Sequence, residues 1–287
     1  MSKYLVLYNP NSKGGKGQED AKRIENFLTA EDTVEYKDSL ELYHNIDLVN
    51  TIPEDVRIVF TGGDGTVNRV VNFMSENAIK RTVYYFPAGS GNDFIIDLDK
   101  KKNCTPFAIN DYMEHLPEVH VNGIVCKFVN GIGYGLDGYC CEEKDRLNAV
   151  GKNRSYTMIA FLGMLGKFKP VHAKITVDGE MREYDNLYMA PTMFGRHYGG
   201  GVKITPMQNR HNPEHTVTSA ALVCKSRLKL IPIFLMITQG LGEKIPKTAT
   251  YRQGKHVKVE FDRPVALQID GETVLNVTEY EVFAAKD

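Results

Sequence analysis

No charge of either sign predominates in this chain of 287 residues: the formal net charge is −1, so nothing draws the whole molecule toward nucleic acid or an anionic membrane. Any such attraction must be local. Cysteine is scarce and unpatterned. Cys104, Cys126, Cys140, Cys141 and Cys224 show no C-x-x-C spacing, and an odd number suits a reducing cytoplasm better than a disulfide framework. The neighbours Cys140 and Cys141 read as small apolar packing residues. Long apolar runs are missing too. The first begins only at Tyr4 and ends before Asn9, which is no signal peptide, and the longest, Leu230 to Ile237, contains Pro232 and falls far short of the roughly 20 residues a bilayer requires. These absences predict a cytoplasmic protein that touches a membrane, if at all, peripherally at its inner face. The remaining composition, 42% hydrophobic and 25% charged, is that of an ordinary globular protein with room for one large domain or two ordinary ones.

The stretch most informative about function is Val56-Arg-Ile-Val-Phe-Thr-Gly-Gly-Asp-Gly-Thr-Val-Asn68. Val56 to Phe60 is an apolar, β-branched run that predicts a buried strand, and from Val67 the apolar residues Val67, Val70, Val71 and Met74 take helical spacing. A glycine loop therefore joins a strand to a helix. Gly62, Gly63 and Gly65 remove side chains that would keep a ligand away, and the helix beginning near Thr66 offers unpaired N–H groups to anions. Asp64 sits inside this phosphate-binding design. A carboxylate beside phosphate oxygens repels them unless a cation lies between, which makes Asp64 a Mg²⁺ ligand, directly or through water, or a proton acceptor. A tight turn without a ligand is the bland alternative; three glycines around one acid argue against it.

Two further loops follow strands in the same way. Tyr4 to Tyr8 runs into Asn9-Pro-Asn-Ser-Lys-Gly-Gly-Lys-Gly17, which lacks the G-x-x-x-x-G-K-[ST] spacing of a Walker loop but brings Lys13 and Lys16 within reach of phosphates. Thr82 to Phe86 runs into Pro87-Ala-Gly-Ser-Gly-Asn-Asp-Phe94, where Ser90, Asn92 and Asp93 accompany Gly89 and Gly91. Capping a helix would explain one of those three polar residues. Strand and helix alternate through this half, which predicts a parallel sheet flanked by helices with its ligands at the carboxyl ends of the strands.

Taken in order, Asn9-Pro-Asn-Ser12, Gly62-Gly-Asp-Gly-Thr-Val-Asn68 and Pro87 to Phe94 resemble the bacterial diacylglycerol kinase and sphingosine kinase superfamily of lipid kinases. A G-G-D-G-T loop alone also occurs in NAD kinases and phosphofructokinases; the Pro87 motif separates the lipid kinases from them. The resemblance implies an α/β N-terminal nucleotide-binding domain, residues 1–120, followed by a mostly antiparallel C-terminal β-sandwich, residues 121–287, which carries the lipid-substrate site, with a cleft between them. Its last residues are expected to return toward the first domain in part. The resemblance also implies ATP and Mg²⁺ as cofactors, with Asn9, Ser39, Gly62, Gly63, Asp64, Gly65, Thr66, Asn68, Gly89, Ser90, Gly91 and Asn92 around the nucleotide and Asp64 at the metal. Ser39 enters by positional analogy alone. A lipid is the expected partner, nucleic acid is not, and a homodimer is left open.

In the second half strands are expected to follow strands: Lys174 to Val177, Asn186 to Met189, Thr216 to Cys224, His256 to Phe261 and Ala266 to Ile269. Asn122-Gly123, Asp178-Gly179 and Asp270-Gly271 mark hairpin turns. Gly133-Tyr-Gly-Leu-Asp-Gly138 matches the dinucleotide fingerprint, yet no βαβ unit follows and Asp137 reads as structural. A plain turn explains both Asp178-Gly-Glu180 and Asp270-Gly-Glu272. The resemblance separates them, because the family carries an acidic turn near its C-terminus as the catalytic base region, so Asp270 or Glu272 is expected to accept the proton of the attacking hydroxyl. Alanine at Asp64 or Asp270 is expected to abolish turnover and leave the fold intact.

One segment departs from the family. After Gly199-Gly-Gly201 and Pro206 the usual Asp-Gly turn, which holds a structural Mg²⁺ in some members, is replaced by Asn209-Arg-His-Asn-Pro-Glu-His215, leaving Glu214 as the one acid there. That gap motivates a second reading, a non-catalytic nucleotide-binding regulator; a soluble-substrate kinase of the NAD kinase type is a third. Two apolar helices, Ser155 to Phe168 and Arg227 to Leu241, each with basic residues at one end, read as core or as contacts with lipid.

Overall fold

The computed structural model describes residues 1–285 apart from 45–48, 50, 78, 80, 90, 102–103, 153 and 155. The chain divides into two compact units, Met1–Glu114 and His115–Asp287.

In the first unit the expected alternation is present. Strand β1 (Lys3–Tyr8) is followed by α1 (Gly17–Lys22), β2 (Thr33–Asp38) by α2 (Ser39–His44), β3 (Val56–Gly62) by α3 (Asp64–Glu76), and β4 (Val83–Pro87) by α4 (Asp93–Asp97), before a short β5 (Phe107–Ala108). The sheet order is β2-β1-β3-β4-β5, parallel except for β5. Because side chains alternate across a strand, β3 buries Val59 on one face and Phe60 on the other. Val59 joins Val6, Ala21, Ile24 and Phe86 in a cluster under α1. Tyr43 of α2 stacks on Phe60 at 6.2 Å and meets Phe73 of α3 edge-on at 5.2 Å, which places α2 and α3 over the opposite face. The α3 residues buried are Val67, Val70, Val71, Phe73 and Met74, the helical stripe read from the sequence with Phe73 added.

The second unit is antiparallel. Strands β6 (Glu118–Val121), β7 (Ile124–Lys127), β8 (Gly131–Gly135), β9 (Val171–Val177), β10 (Glu180–Met193), β11 (Val217–Val223), β12 (Ala249–Gly254), β13 (His256–Ile269) and β14 (Glu272–Phe283) form one sheet system ordered β12-β11-β10-β8-β13-β14-β6-β7, with β9 paired to β10 and β13. β14 covers β13 along one side, so β8 and β9 lie end to end in the gap on its other side. The end of the chain stays in this unit, where β14 pairs with β13 and β6.

The three Asx-Gly dipeptides read as hairpin turns do turn hairpins, with both residues at positive φ: Asn122 and Gly123 at 49° and 76°, Asp178 and Gly179 at 48° and 84°, Asp270 and Gly271 at 46° and 95°. This is the type I′ geometry that matches strand twist. Two details differ from the sequence reading. His256 to Phe261 and Ala266 to Ile269 belong to one strand, β13, whose register shifts around Val265 absorb Pro264, a residue that cannot donate to a ladder. Strands also do not simply follow strands, because β8 leads directly into a helix of 14 residues, α5 (Leu136–Ala149). Its apolar pattern is faint: Cys140 and Cys141 are buried as expected, and Gly138 lets the helix lie against the Ala266 backbone of β13. Both apolar helices of the sequence reading appear, as α6 (Tyr156–Leu162) running into a π-type turn, Gly163–Lys167, and as α7 (Arg227–Thr238).

Candidate functional site

The loops after β1, β2, β3 and β4 all leave the same edge of the parallel sheet. After β1 the chain crosses to β2 on one side, and after β2 it returns to β3 on the other, so the strand order reverses between β1 and β3. Ligands of open α/β sheets bind outside the carboxyl ends of the strands at such a reversal. The loops that open there carry Asn9 and the Gly62-Gly63 pair.

Gly62 to Asp64 and Pro87 to Phe94 are fused into one structure. The Gly62 carbonyl accepts the N–H groups of Ala88 and Gly89, each at 2.8 Å, and the Tyr85 hydroxyl, also at 2.8 Å. Burial, with the Asp64 carboxylate adding to it, pushes the Tyr85 phenol well above its ordinary range, so it remains a donor. A Cβ on Gly89 would overlap the Gly63 Cα and stand 2.6 Å from Asn92 Oδ1, so the two loops touch backbone to backbone only because residue 89 is glycine. Asp64 completes the joint. Its Oδ2 accepts the N–H of Asp93 at 3.0 Å and its Oδ1 that of Phe94 at 2.8 Å, so the first residue of α3 caps the N-terminus of α4.

Around this joint lie most of the expected nucleotide residues. Thr66 Oγ1 sits against Gly62, leaving no room for a side chain there. Asn92 is 2% exposed with φ 57°; its Nδ2 donates to the Gly89 carbonyl at 2.9 Å, while its buried Oδ1 has no hydrogen-bond partner among the described residues. Asn68 lies one turn into α3, where it accepts from Asn72 through its carbonyl at 3.0 Å. Asn9 closes its own loop, its Oδ1 accepting the Asn11 N–H at 2.9 Å. Ser39 is buried as the first residue of α2, behind Asp38, whose Oδ1 accepts the Leu40 N–H at 2.8 Å. Gly65 is exposed in the first turn of α3, and Gly91 precedes Asn92. Ser90 lies outside the described residues. Nothing in the sequence singles out Tyr85; its role depends on a carbonyl 23 residues away.

Oxygen donors suit Mg²⁺, which keeps much of its water and accepts only one or two carboxylates beside phosphates. Asp64, with both oxygens engaged by amides but each oxygen carrying a second lone pair, and Asn92 Oδ1 fit such a partly hydrated ion. No group of three or more histidine, cysteine or acidic side chains that could hold a metal occurs among the described residues.

Asp270 and Glu272 belong to the second unit. The Asp270 carboxylate accepts three backbone N–H groups, from Val129 at 2.6 Å, Asn130 at 2.8 Å and Gly131 at 3.0 Å. Glu272 is exposed at the start of β14. Asp178 works alike at the other hairpin, gripping the N–H groups of Lys255 and His256, but at an exposed position. Both Asp64 and Asp270 therefore hold backbone as well as any ligand, and removing either carboxylate strands amides that the fold uses.

The segment that departs from the family is a turn closed by its own asparagines and linked outward by Arg210. Asn209 and Asn212 accept the N–H groups of His211 and Glu214, each at 3.0 Å. Buried Gln208 donates to the carbonyls of Phe194 and Thr216 and accepts from the Thr218 hydroxyl. Arg210, 7% exposed, donates to Asn130 Oδ1 at 3.3 Å. Glu214 is exposed.

A parallel sheet with glycine-lined helix N-termini at its reversal point is thus followed along the chain by an antiparallel unit with an acidic hairpin. Residues 3–121 match the diacylglycerol kinase catalytic domain, and residues 130–282 match the YegS C-terminal NAD kinase beta sandwich-like domain. The chain belongs to the diacylglycerol kinase family of lipid kinases. It is 27% identical over 211 residues to a diacylglycerol kinase of Mycobacterium tuberculosis, a match covering 71% of this chain and 66% of that protein. A Bacillus subtilis diacylglycerol kinase is 25% identical over 222 residues, covering 75% and 70%. The chain thus spans about two thirds of the length of these relatives. A crystal structure of a diacylglycerol kinase from Bacillus anthracis shares the fold, with a TM-score of 0.65 at 18% identity over 99% of this chain and 94% of that one.

Proposed function

We propose that this protein is an ATP- and Mg²⁺-dependent kinase that phosphorylates the hydroxyl of a lipid, with diacylglycerol as acceptor and phosphatidic acid as product. The observation that carries the reading is the fusion of two glycine loops at the sheet's reversal point, Gly63 against Gly89, with Asp64 between two helix N-termini. Phosphoryl transfer requires positioning and charge neutralisation more than covalent chemistry. Backbone N–H groups of Gly62, Gly63, Gly65 and Gly91 hold the triphosphate, Gly89 giving its own N–H to the Gly62 carbonyl to keep the two loops together, and Asn9, Thr66, Asn68 and Ser90 add side-chain hydrogen bonds. Ser39, just past the end of β2 on the same sheet edge, contacts the nucleotide by positional analogy. Asp64 and Asn92 hold a hydrated Mg²⁺, which when bound neutralises charge on the phosphate oxygens. Asp270 or Glu272 takes the proton of the attacking lipid hydroxyl.

The test is transfer of labelled γ-phosphate from ATP to lipids in mixed micelles, with NAD and a no-acceptor control alongside. Label on diacylglycerol supports the reading. Label on NAD alone would make the protein a soluble-substrate kinase, and ATP binding with no transfer to any acceptor would make it a regulator.

A further inference from the structure

Helix α7 is apolar on every side, yet of its 12 residues only Leu230 and Ile237 are buried. A helix of that composition is stable in a core or at a membrane, and this one is not in the core. Leu228 is 91% exposed, and Leu235, two turns further along the same face, is half exposed. The α6 helix and its π-type turn repeat the pattern: Met158, Phe161 and Leu165, spaced three and four apart on one face, are exposed, while Ile159 and Met164 are buried behind them. The two elements touch, with Arg227 Nη2 donating to the Phe168 carbonyl at 3.0 Å.

Charge around this face is segregated. Residues 150–170 and 224–242 contain four and three lysines or arginines and no acid, where the chain's average of 36 acids in 287 residues would put about five. Lys152, Arg154, Lys169, Lys225 and Lys229 are all exposed. In a protein with a net charge of −1, the two segments that carry these exposed apolar residues thus hold cations and no acid of their own, and Glu142 lies in the neighbouring cavity. A buried protein interface depletes lysine and prefers aromatic anchors, whereas apolar residues ringed by lysine and arginine match an anionic bilayer, whose headgroups take the cations and whose acyl boundary takes the apolar side chains. Beside the face, a cavity of about 330 Å³ opens between the aromatic rings of Tyr134, Tyr139 and Phe168, with Glu142, Lys169 and Arg263 as its charged lining. Tyr139 also packs against Gly163 of the π-type turn, so cavity and face are continuous.

We propose that the face formed by α6, its π-type turn and α7 is where this protein docks on a bilayer rich in anionic phospholipid. The inference rests on the lipid kinase reading for its purpose, but its test does not. Full-length protein is sedimented with vesicles of phosphatidylglycerol and phosphatidylcholine at one to three, and with phosphatidylcholine alone. The chain sediments with the anionic vesicles, and each charge neutralised to glutamine among Lys152, Lys225 and Lys229 weakens partitioning on the order of fivefold. The double variant Leu228→Asp, Leu235→Asp, at positions already in solvent, loses at least tenfold while phosphorylating a short-chain, monomerically dissolved diacylglycerol as the unaltered chain does. Equal sedimentation of the double variant, or no preference for anionic vesicles, would overturn the proposal. So would a wild-type dimer that the variant splits without any change on vesicles, since a second copy would then be what covers the face. Vesicle binding without transfer to any lipid would remove the kinase reading and leave the docking face standing.

Discussion

Replacing Asp64 tests the joint between the two glycine loops directly. Its carboxylate caps α4 through the Asp93 and Phe94 N–H groups at 3.0 and 2.8 Å, so alanine removes two charge-assisted acceptors and leaves two half-buried amides without them. Loss of an N-cap costs about 0.5–2 kcal/mol, and loss of bonds to a charged group somewhat more, which puts the local penalty at about 2–4 kcal/mol. Hydrogen exchange reads it where it acts. The peptide covering Asp93 to Leu98 in Asp64→Ala exchanges about 30- to 700-fold faster than in the unaltered chain, at tenfold per 1.4 kcal/mol. Asp64→Asn, which keeps an acceptor without the charge, falls between. Phosphoryl transfer drops in both. Exchange in Asp64→Ala within threefold of the parent would refute the capping role and return Asp64 to the purely ligand-facing part that its sequence context suggests.

Gly89→Ala drives a methyl group into the Gly63 backbone, so the KM for ATP rises at least tenfold while the second unit's exchange is unchanged; an unaltered KM would show that the loops separate freely. The two acidic hairpins separate in a paired experiment: Asp270→Ala loses on the order of 100-fold or more in turnover, whereas Asp178→Ala, which strands only exposed amides, stays within about twofold. Equal losses in the two would make both aspartates turn residues. If Glu272 is the proton acceptor, Glu272→Gln loses turnover with the hairpin's exchange intact, a separation that Asp270 variants cannot give because their carboxylate holds three amides.

What the sequence shows and what it hides follow from the range of the interactions. Glycine loops after β-branched runs, and Asx-Gly pairs between strands, are local signals, and the parallel unit and all three type I′ hairpins were legible from them. Asp64 was legible as an important acid but not as a cap, because its partners lie 29 and 30 residues downstream. The same long-range bonds add a local structural cost to the alanine variants, which the sequence reading did not include. Helix α5 stayed hidden because cysteine and glycine, rather than leucine and isoleucine, supply part of its buried side. Pro264 broke one strand into two on paper; in the sheet the register shifts around Val265 carry the chain past it.

The turn after Pro206 decides how much weight its missing aspartate bears. A cation site there would tie the turn together from outside, and here side chains tie it from within: Asn209 and Asn212 close two short loops, and Gln208 links the Phe194 and Thr216 backbones. Arg210 extends the network further. Its guanidinium, buried in the second unit, donates to Asn130 Oδ1, and the Asn130 N–H is one of the three that hold the Asp270 carboxylate. A positive charge is therefore built into the turn and connected, through one residue, to the acidic hairpin. Arg210→Met should loosen the Val129 to Gly131 segment in hydrogen exchange and lower turnover about tenfold or more, with Arg210→Lys recovering part of both, because a buried polar network left half-satisfied is worse than none. Arg210→Met with unaltered exchange and turnover would mean that the departure from the family is confined to the turn, and that the acidic hairpin stands without it.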